Sequence, residues 1–354
     1  LSSDIIARGN LSPCKQPSFS FRESTVLAQT IARLVMNRLV QAVPTLLIIS
    51  IISFALIGAA PGDALTALEQ DPRISPETLA KLRQEYGLDR PLVARYGSWL
   101  KGVVTGDLGT SLAEKLPVTT LIGQRLANTI KLSLAATLLA WLVALPLGAL
   151  AAVRRGTWID RLSGGLALLS VSTPRLVLAI LAMLLAARTG LFPIGGVRSL
   201  NGTNGFSLAS LADSLHHLIL PAMVMSLPLA AVYLRQMRAG MISALQSDFI
   251  RAARARGLSE KAIVIRHAAR NALNPLITLF GYAVAALLSG SIIVETVMAW
   301  PGLGQLAVNS VRGRDVPVLM GIVLLAALMM VIGNLLADIL HVVADPRLRG
   351  SEAK

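Results

Sequence analysis

The chain contains a single cysteine, Cys14, among 354 residues. That excludes an intrachain disulfide and a thiolate metal site. Acidic residues are few, 19 against 33 Lys and Arg, and aromatic residues make up only 4%. The net charge of +14 could suggest nucleic acid, but no basic patch is interleaved with aromatics on which bases would stack. No Gly-Lys pair occurs, so there is no P-loop for ATP. His216, His217, His267 and His341 have no HExxH spacing, which argues against a metal site. No G-x-S-x-G or other nucleophile arrangement occurs. Gly302-Leu303-Gly304-Gln305-Leu306-Ala307 matches a loose dinucleotide pattern, yet it follows an apolar segment and Ala299-Trp300-Pro301 instead of a strand. No catalytic residue, metal or cofactor is therefore assigned to this chain.

Apolar residues, by contrast, are abundant. They make up 54% of the chain against 15% charged residues, with a mean hydropathy of +0.65. Six runs, 39–60, 126–153, 162–187, 215–234, 276–298 and 316–343, are each long enough to cross a hydrocarbon layer of ~30 Å. They lack the alternation of barrel strands, and in lipid the backbone must satisfy its own hydrogen bonds. The expected fold is an all-α polytopic membrane protein with six transmembrane helices.

Charge placement predicts topology. Basic residues cluster before the first run (Lys15, Arg22, Arg33, Arg38), after the second (Arg154, Arg155, Arg161), between the fourth and fifth, and at the end (Arg347, Arg349, Lys354). The 61–125 loop instead mixes Arg73, Lys81, Arg83 and Arg90 with Glu69, Asp71, Glu77, Glu85 and Asp89. The positive-inside rule then makes both termini cytoplasmic and the 61–125 loop outward. Residues 1–30 lack periodicity and the apolar core of a cleaved signal; they are expected to form a mobile cytoplasmic extension, and 350–354 a short tail.

Several local signals stand out. Pro44 lies near the cytoplasmic end of the first run, where a missing N–H is expected to cost little. In the outward loop, Ser75 and Pro76 are an N-cap and N1 pair for a helix over 77–86, which Gly87 would stop. A second short helix is expected over 95–104, ended by Gly106. Pro174 predicts a kink in the third span. Arg175 falls near its middle, where a charge costs roughly 2.5–3.5 kcal/mol on insertion scales. It must meet a neighbouring carboxylate or carbonyl, or else line a pathway and greet an anionic group of a solute. Glu295 is expected to reach interfacial water and Asp338 to be solvated or paired. Three scattered charges give thin support for an ion-coupled carrier.

The richest segment is 248–275, DFIRAARARGLSEKAIVIRHAARNALNP. Asp248 can cap a short helix over 249–256, on which Phe249, Ala252, Ala253 and Arg256 share one face and Arg251 and Arg254 another. Gly257 permits a turn that a Cβ would penalise. Ser259 caps a second helix to about Ala272, and Asn274-Pro275 is expected to break the chain before the next span. A helix, a glycine hinge and a second helix make a docking elbow; the same pattern also suits a solvated amphipathic connector on lipid headgroups.

The run Arg251-Ala252-Ala253-Arg254-Ala255-Arg256-Gly257-Leu258, then Arg266-His267-Ala268 and Arg270-Asn271-Ala272-Leu273-Asn274-Pro275, resembles the EAA loop of binding-protein-dependent ABC importer permeases. Arg251 at its head is similar to the oligopeptide, dipeptide and nickel branch, B-type subunit. Other blocks agree: Pro61-Gly62-Asp63, Tyr86-Gly87-Leu88-Asp89-Arg90-Pro91, Gly106-Asp107-Leu108-Gly109, Ser111, Glu295-Thr296, Trp300-Pro301-Gly302-Leu303-Gly304, Arg314-Asp315, Pro317 and Asp345-Pro346-Arg347. Arg175 departs from it, an apolar or aromatic residue being more usual there.

The resemblance implies an importer transmembrane domain over 31–349, with an external subdomain (61–125) and a cytoplasmic coupling loop (248–275). This would be a non-enzymatic subunit in a bacterial-type inner membrane. Its implied partners are a second homologous permease, two ATPase subunits that bind ATP and Mg, and an extracytoplasmic solute-binding protein. Phe249, Arg251, Ala252, Ala253, Arg254, Gly257 and Leu258 would then dock in an ATPase cleft, with the arginines as ion-pair donors; Pro174 and Arg175 are pathway candidates. The rival classes are an ion-coupled secondary carrier and a non-transporting membrane scaffold that recruits a cytosolic partner.

Overall fold

The computed structural model of the chain describes residues 21–60, 62, 65, 66, 74–199 and 207–344. Its helices, in chain order, are α1 (Phe21–Ala59), α2 (Pro76–Glu85), α3 (Leu92–Thr105), α4 (Val118–Val153), α5 (Trp158–Ser172) and α6 (Arg175–Thr189). They continue with α7 (Leu208–Leu245), α8 (Asp248–Ala255), α9 (Glu260–Ala262), α10 (Ala269–Val297), α11 (Leu303–Arg312) and α12 (Val316–Ala344). Among the described residues there is no strand; an isolated bridge joins Thr110 to Pro117. Residues 1–20, the 350–354 tail and the Asp345-Pro346-Arg347 block lie outside the described residues.

Long apolar runs become long helices because only an internally hydrogen-bonded backbone is tolerated in lipid. Four stretches are long and apolar enough to cross a membrane: Gln29–Ala59, Val118–Val153, Leu208–Leu245 and Val316–Leu340. The fifth expected span, 276–298, lies on the 29-residue helix α10.

Three expectations need correction. First, α1 begins at Phe21, so the final third of the 1–30 extension is helical. Pro44 consequently sits deep inside α1, where its ring displaces the bond to the Val40 carbonyl.

Second, the third span is not one kinked helix. It is a pair, α5 and α6, bent by 104°. Thr173, before the proline, is forced into extended backbone (φ −86°, ψ 123°), and Pro174 cannot continue the ladder. Each 15-residue arm is about 22 Å long, too short to cross ~30 Å alone.

Third, Asn274-Pro275 does not break the chain. From Glu260 the helix runs through a π-helical segment, Ile263–Ala268, into α10, and Pro275 is absorbed inside it.

Packing relies on small side chains, as expected where lipid tails supply no hydrophobic drive between helices. The α4–α7 contact is the most extensive. Within it, a Cβ on Gly148 would lie 2.8 Å from the Leu234 carbonyl oxygen. One buried cluster joins Ala140, Ala144 and Ala152 of α4 to Met237 and Met241 of α7 and to Ile250, Ile263 and Ala272. A second joins Leu132, Ala179, Val224, Val294 and Trp300. Thus the elbow after α7 roots in one cluster and the far end of α10 in the other.

Candidate functional site

The elbow is built from local signals and then fixed by burial. The N-cap of α8 is Ser247, one position earlier than the expected Asp248, which is instead the first residue of the helix. Gly257 has φ +78°. Its N–H donates to the Arg254 carbonyl (2.9 Å) and that of Leu258 to the Ala253 carbonyl (3.3 Å). This crossed pair is the Schellman stop, which needs a residue in the left-handed region. Ser259 then accepts from the Ala262 N–H (3.4 Å) and starts α9 as expected.

Tertiary packing divides the α8 residues differently from the expected faces. Ile250 is fully buried and Ala253 is 9% exposed, both packed among Met241, Ile263 and Ala268. Ala253 therefore anchors the elbow from within and does not share an outward face with Ala252. The outward surface carries Phe249, 44% exposed, with Ala252, Arg256 and Gly257 also exposed. A Cβ on Gly257 would meet nothing within 4 Å. Leu258 packs beside the buried cluster.

The two expected donors are also partly engaged. Arg254 grips Glu260 across the hinge with both guanidinium arms (Nε–Oε1 2.6 Å, Nη2–Oε2 3.2 Å). That bond holds the Glu260 carboxyl below its usual value and the Arg254 guanidinium above its own. Arg251 touches Asp248 (3.2 Å) while both side chains stay exposed. Hence Arg254 staples α8 to α9, and Arg251 is the more available of the two.

Beyond the hinge, α9, the π segment and α10 form one rod about 55 Å long. Its far end is tied in a knot. Glu295, expected at interfacial water, is fully buried. It accepts from Thr129 Oγ1 (2.8 Å) on α4 and from the backbone N–H groups of Gly304 (2.6 Å) and Gln305 (3.2 Å). Those two N–H groups are free donors at the start of α11, where a carboxylate is favoured. The glycines of Trp300-Pro301-Gly302-Leu303-Gly304 have a steric role here. A Cβ on Gly302 would collide with the Glu295 carboxylate, and one on Gly304 would lie 2.5 Å from Ile292 Cα.

The other motif blocks meet at the same end. Asp315 is buried and accepts from Ser111 Oγ (2.5 Å) and the Ala113 N–H (3.3 Å). Gly62, at φ +86°, lies under the Arg314 guanidinium with no room for a Cβ.

Pro174 and Arg175 lie apart from the elbow, at the corner between α5 and α6, where Arg175 is exposed and opens α6. Asp338 is paired, accepting from Arg38 Nε (2.7 Å) and so tying α12 to α1. The sequence pattern did not single out Asp160 and Arg238. Their bidentate bond (2.5 and 2.9 Å), with the Gly156 N–H on the same carboxylate (2.9 Å), pins α5 to α7 shortly before the elbow. The only signal was one acid and one base near the ends of apolar runs, 78 residues apart.

A bundle of long apolar helices with an exposed basic elbow defines a polytopic helical membrane protein. Comparison with known proteins gives the particular family. Residues 144–350 match the family described as binding-protein-dependent transport system inner membrane component, and residues 31–133 match its N-terminal region family. The chain is 40% identical to the oligopeptide transport system permease protein AppB of Bacillus subtilis (strain 168) over 319 residues, covering 90% of this chain and 99% of that one. It is 37% identical to the dipeptide transport system permease protein DppB of Escherichia coli (strain K12), covering 89% and 98%. Among solved structures, the MetNI methionine ABC transporter in an inward-facing form matches with TM-score 0.51 and 18% identity, covering 64% of this chain and 97% of that chain, which shows a shared fold. The chain belongs to the binding-protein-dependent transport permease family and is a non-enzymatic permease subunit of an ABC importer. That membership sets aside the carrier and scaffold classes.

Proposed function

We propose that the chain forms half of a translocation pathway for peptides or related small solutes in a bacterial-type inner membrane. The solute class is supported by the relatives, which are described as oligopeptide and dipeptide permeases and align along nearly their whole length. The pathway is shared with a second homologous permease. Two ATPase subunits bind ATP and Mg below, and a solute-binding protein delivers from outside. The elbow and both termini face the cytoplasm and 61–125 forms an external subdomain, in keeping with the charge distribution.

The observation that carries the coupling assignment is the division of the elbow: Ile250 and Ala253 grip the bundle, while Phe249, Ala252 and the hinge glycine Gly257 stay exposed. An ATPase cleft would receive that surface, with Arg251 supplying a charge-assisted contact. Closure of the ATPase pair would then move the elbow, and the rod from Glu260 to Val297 carries the displacement into the spans, because a hydrogen-bonded helix does not stretch. Gly257→Asp tests this. The complex should still assemble and insert, with transport and solute-stimulated ATP hydrolysis lost; retained stimulation in the assembled mutant sinks the assignment.

For Pro174 and Arg175 the proposed role is in the pathway, as a corner that presents a cation to the solute. Arg175→Ala should weaken transport of solutes with a free carboxylate more than that of blocked ones. Equal loss for both makes the arginine structural.

A further inference from the structure

A cavity of about 210 Å³ lies at the end of the bundle away from the elbow, between the α2–α3 turn, α3 and the start of α12. Its wall includes Phe54, Tyr86, Trp99 and Pro317, and both Arg90 and Arg95 line it. Phe54, Tyr96 and Trp99 form an aromatic trio, with ring centroids 5.4 to 6.4 Å apart, and the Tyr96 hydroxyl is pinned to Ser50 (2.9 Å).

The polar groups are unbalanced. The Trp99 indole N–H is buried and has no acceptor among the described residues. Neither the Arg90 nor the Arg95 side chain bonds to a described residue, although Glu85, Asp89 and Asp107 are close in sequence. The cavity thus offers donors and two positive charges over an apolar floor. Its complement is an acceptor-only group, an oxyanion, attached to an apolar body. The volume is below the roughly 300–1,000 Å³ of sites for drug-sized ligands, so it suits one head group and one side chain.

We propose that this cavity is a binding site for a carboxylate or phosphate-ester head carried on a small apolar body. Arg90 and Arg95 neutralise the charge, and the rings of Phe54, Tyr86 and Trp99 cover the body. The start of α12 contributes Val316 and Pro317 to the wall, so an occupant bridges α3 to α12. The site does not depend on which solute the importer carries.

The test uses the assembled complex in nanodiscs, with 5-fluorotryptophan in place of the four tryptophans and the Trp99 fluorine signal assigned by its loss in Trp99→Phe. N-acetyl-leucine should shift that signal saturably and N-acetyl-leucine amide should not. Arg90→Gln with Arg95→Gln should weaken the response by about tenfold or more, two charge-assisted contacts being lost. Unchanged signals from the other tryptophans certify the fold of the variant. A shift that arises from phosphatidylglycerol discs alone, and is absent in phosphatidylcholine discs, keeps the site and assigns its occupant to lipid. A Trp99 signal unmoved by either oxyanion, moved only by the solute-binding protein, or still moved in the double variant overturns the proposal.

Discussion

Gly87 and Gly257 end their helices in the same way. At Gly87, φ is +61° and the Leu88 N–H reaches the Arg83 carbonyl (2.9 Å) while the Gly87 N–H reaches that of Gln84 (3.1 Å). At Gly257 the same crossed pair closes α8. Each helix has a serine at its N-cap, Ser75 or Ser247. Their surroundings differ. No residue of α2 or α3 is buried, whereas α8 sinks Ile250 and Ala253 into the main cluster and is stapled to α9 by Arg254 and Glu260. One local stop therefore serves two mechanical purposes. On the α2–α3 side it shapes a surface wall around a cavity. On the α8–α9 side it makes a lever arm, because burial removes the freedom that the hinge alone would leave.

That contrast can be broken at several points. The largest effect is expected at the far end of the rod. Glu295→Ala leaves Thr129, Gly304 and Gln305 without their acceptor, at about 1–3 kcal/mol for each buried donor, and should lower the thermal midpoint of the detergent-solubilised chain more than any elbow variant. If it does not, the rod has no fixed end and the lever picture fails. Next, Ile250→Ala should cost about 2–5 kcal/mol, the range for large-to-small core changes. Leu79→Ala on α2 should cost under about 1 kcal/mol, since that side chain is only half-buried. Chemical denaturation followed near each helix compares the pair, and equal losses would erase the distinction.

Gly257→Ala and Gly87→Ala should be smaller and alike in stability, each about 1–2 kcal/mol for a left-handed position, since neither Cβ meets a close contact. Transport assays should separate them, with coupling impaired only at Gly257. The smallest effect is pH dependence at the staple. Arg254 lowers the folded pKa of Glu260. The bond should therefore be intact above the usual glutamate value of 4.5 and be lost only as pH falls through the lowered one. Amide exchange across 257–262 reads this directly, and Glu260→Gln should remove the dependence.

Much of the local structure was legible without coordinates. Ser75, Pro76, Gly87, Gly106, Gly257 and Ser259 act where their backbone chemistry places them, because caps and stops depend on residues within a turn or two. The separate motif blocks were visible as well, but not their purpose. The Thr129 to Glu295 bond spans 166 residues and the Ser111 to Asp315 bond 204, far beyond any pattern in one helix. The 104° bend was underestimated as a kink, since Pro174 predicts a broken ladder but not the angle at which two short arms find their packing.

The sequence by itself determined that this is a helical membrane protein, where its basic elbow lies, and which glycine turns it. Those properties follow from hydropathy, charge and local backbone preference. Only the tertiary structure decided that Ala253 faces inward, that Arg254 is occupied by Glu260, and that Glu295 is buried as a knot. Each depends on which side of a helix meets a neighbour, and that is settled by packing between segments that no local preference brings together.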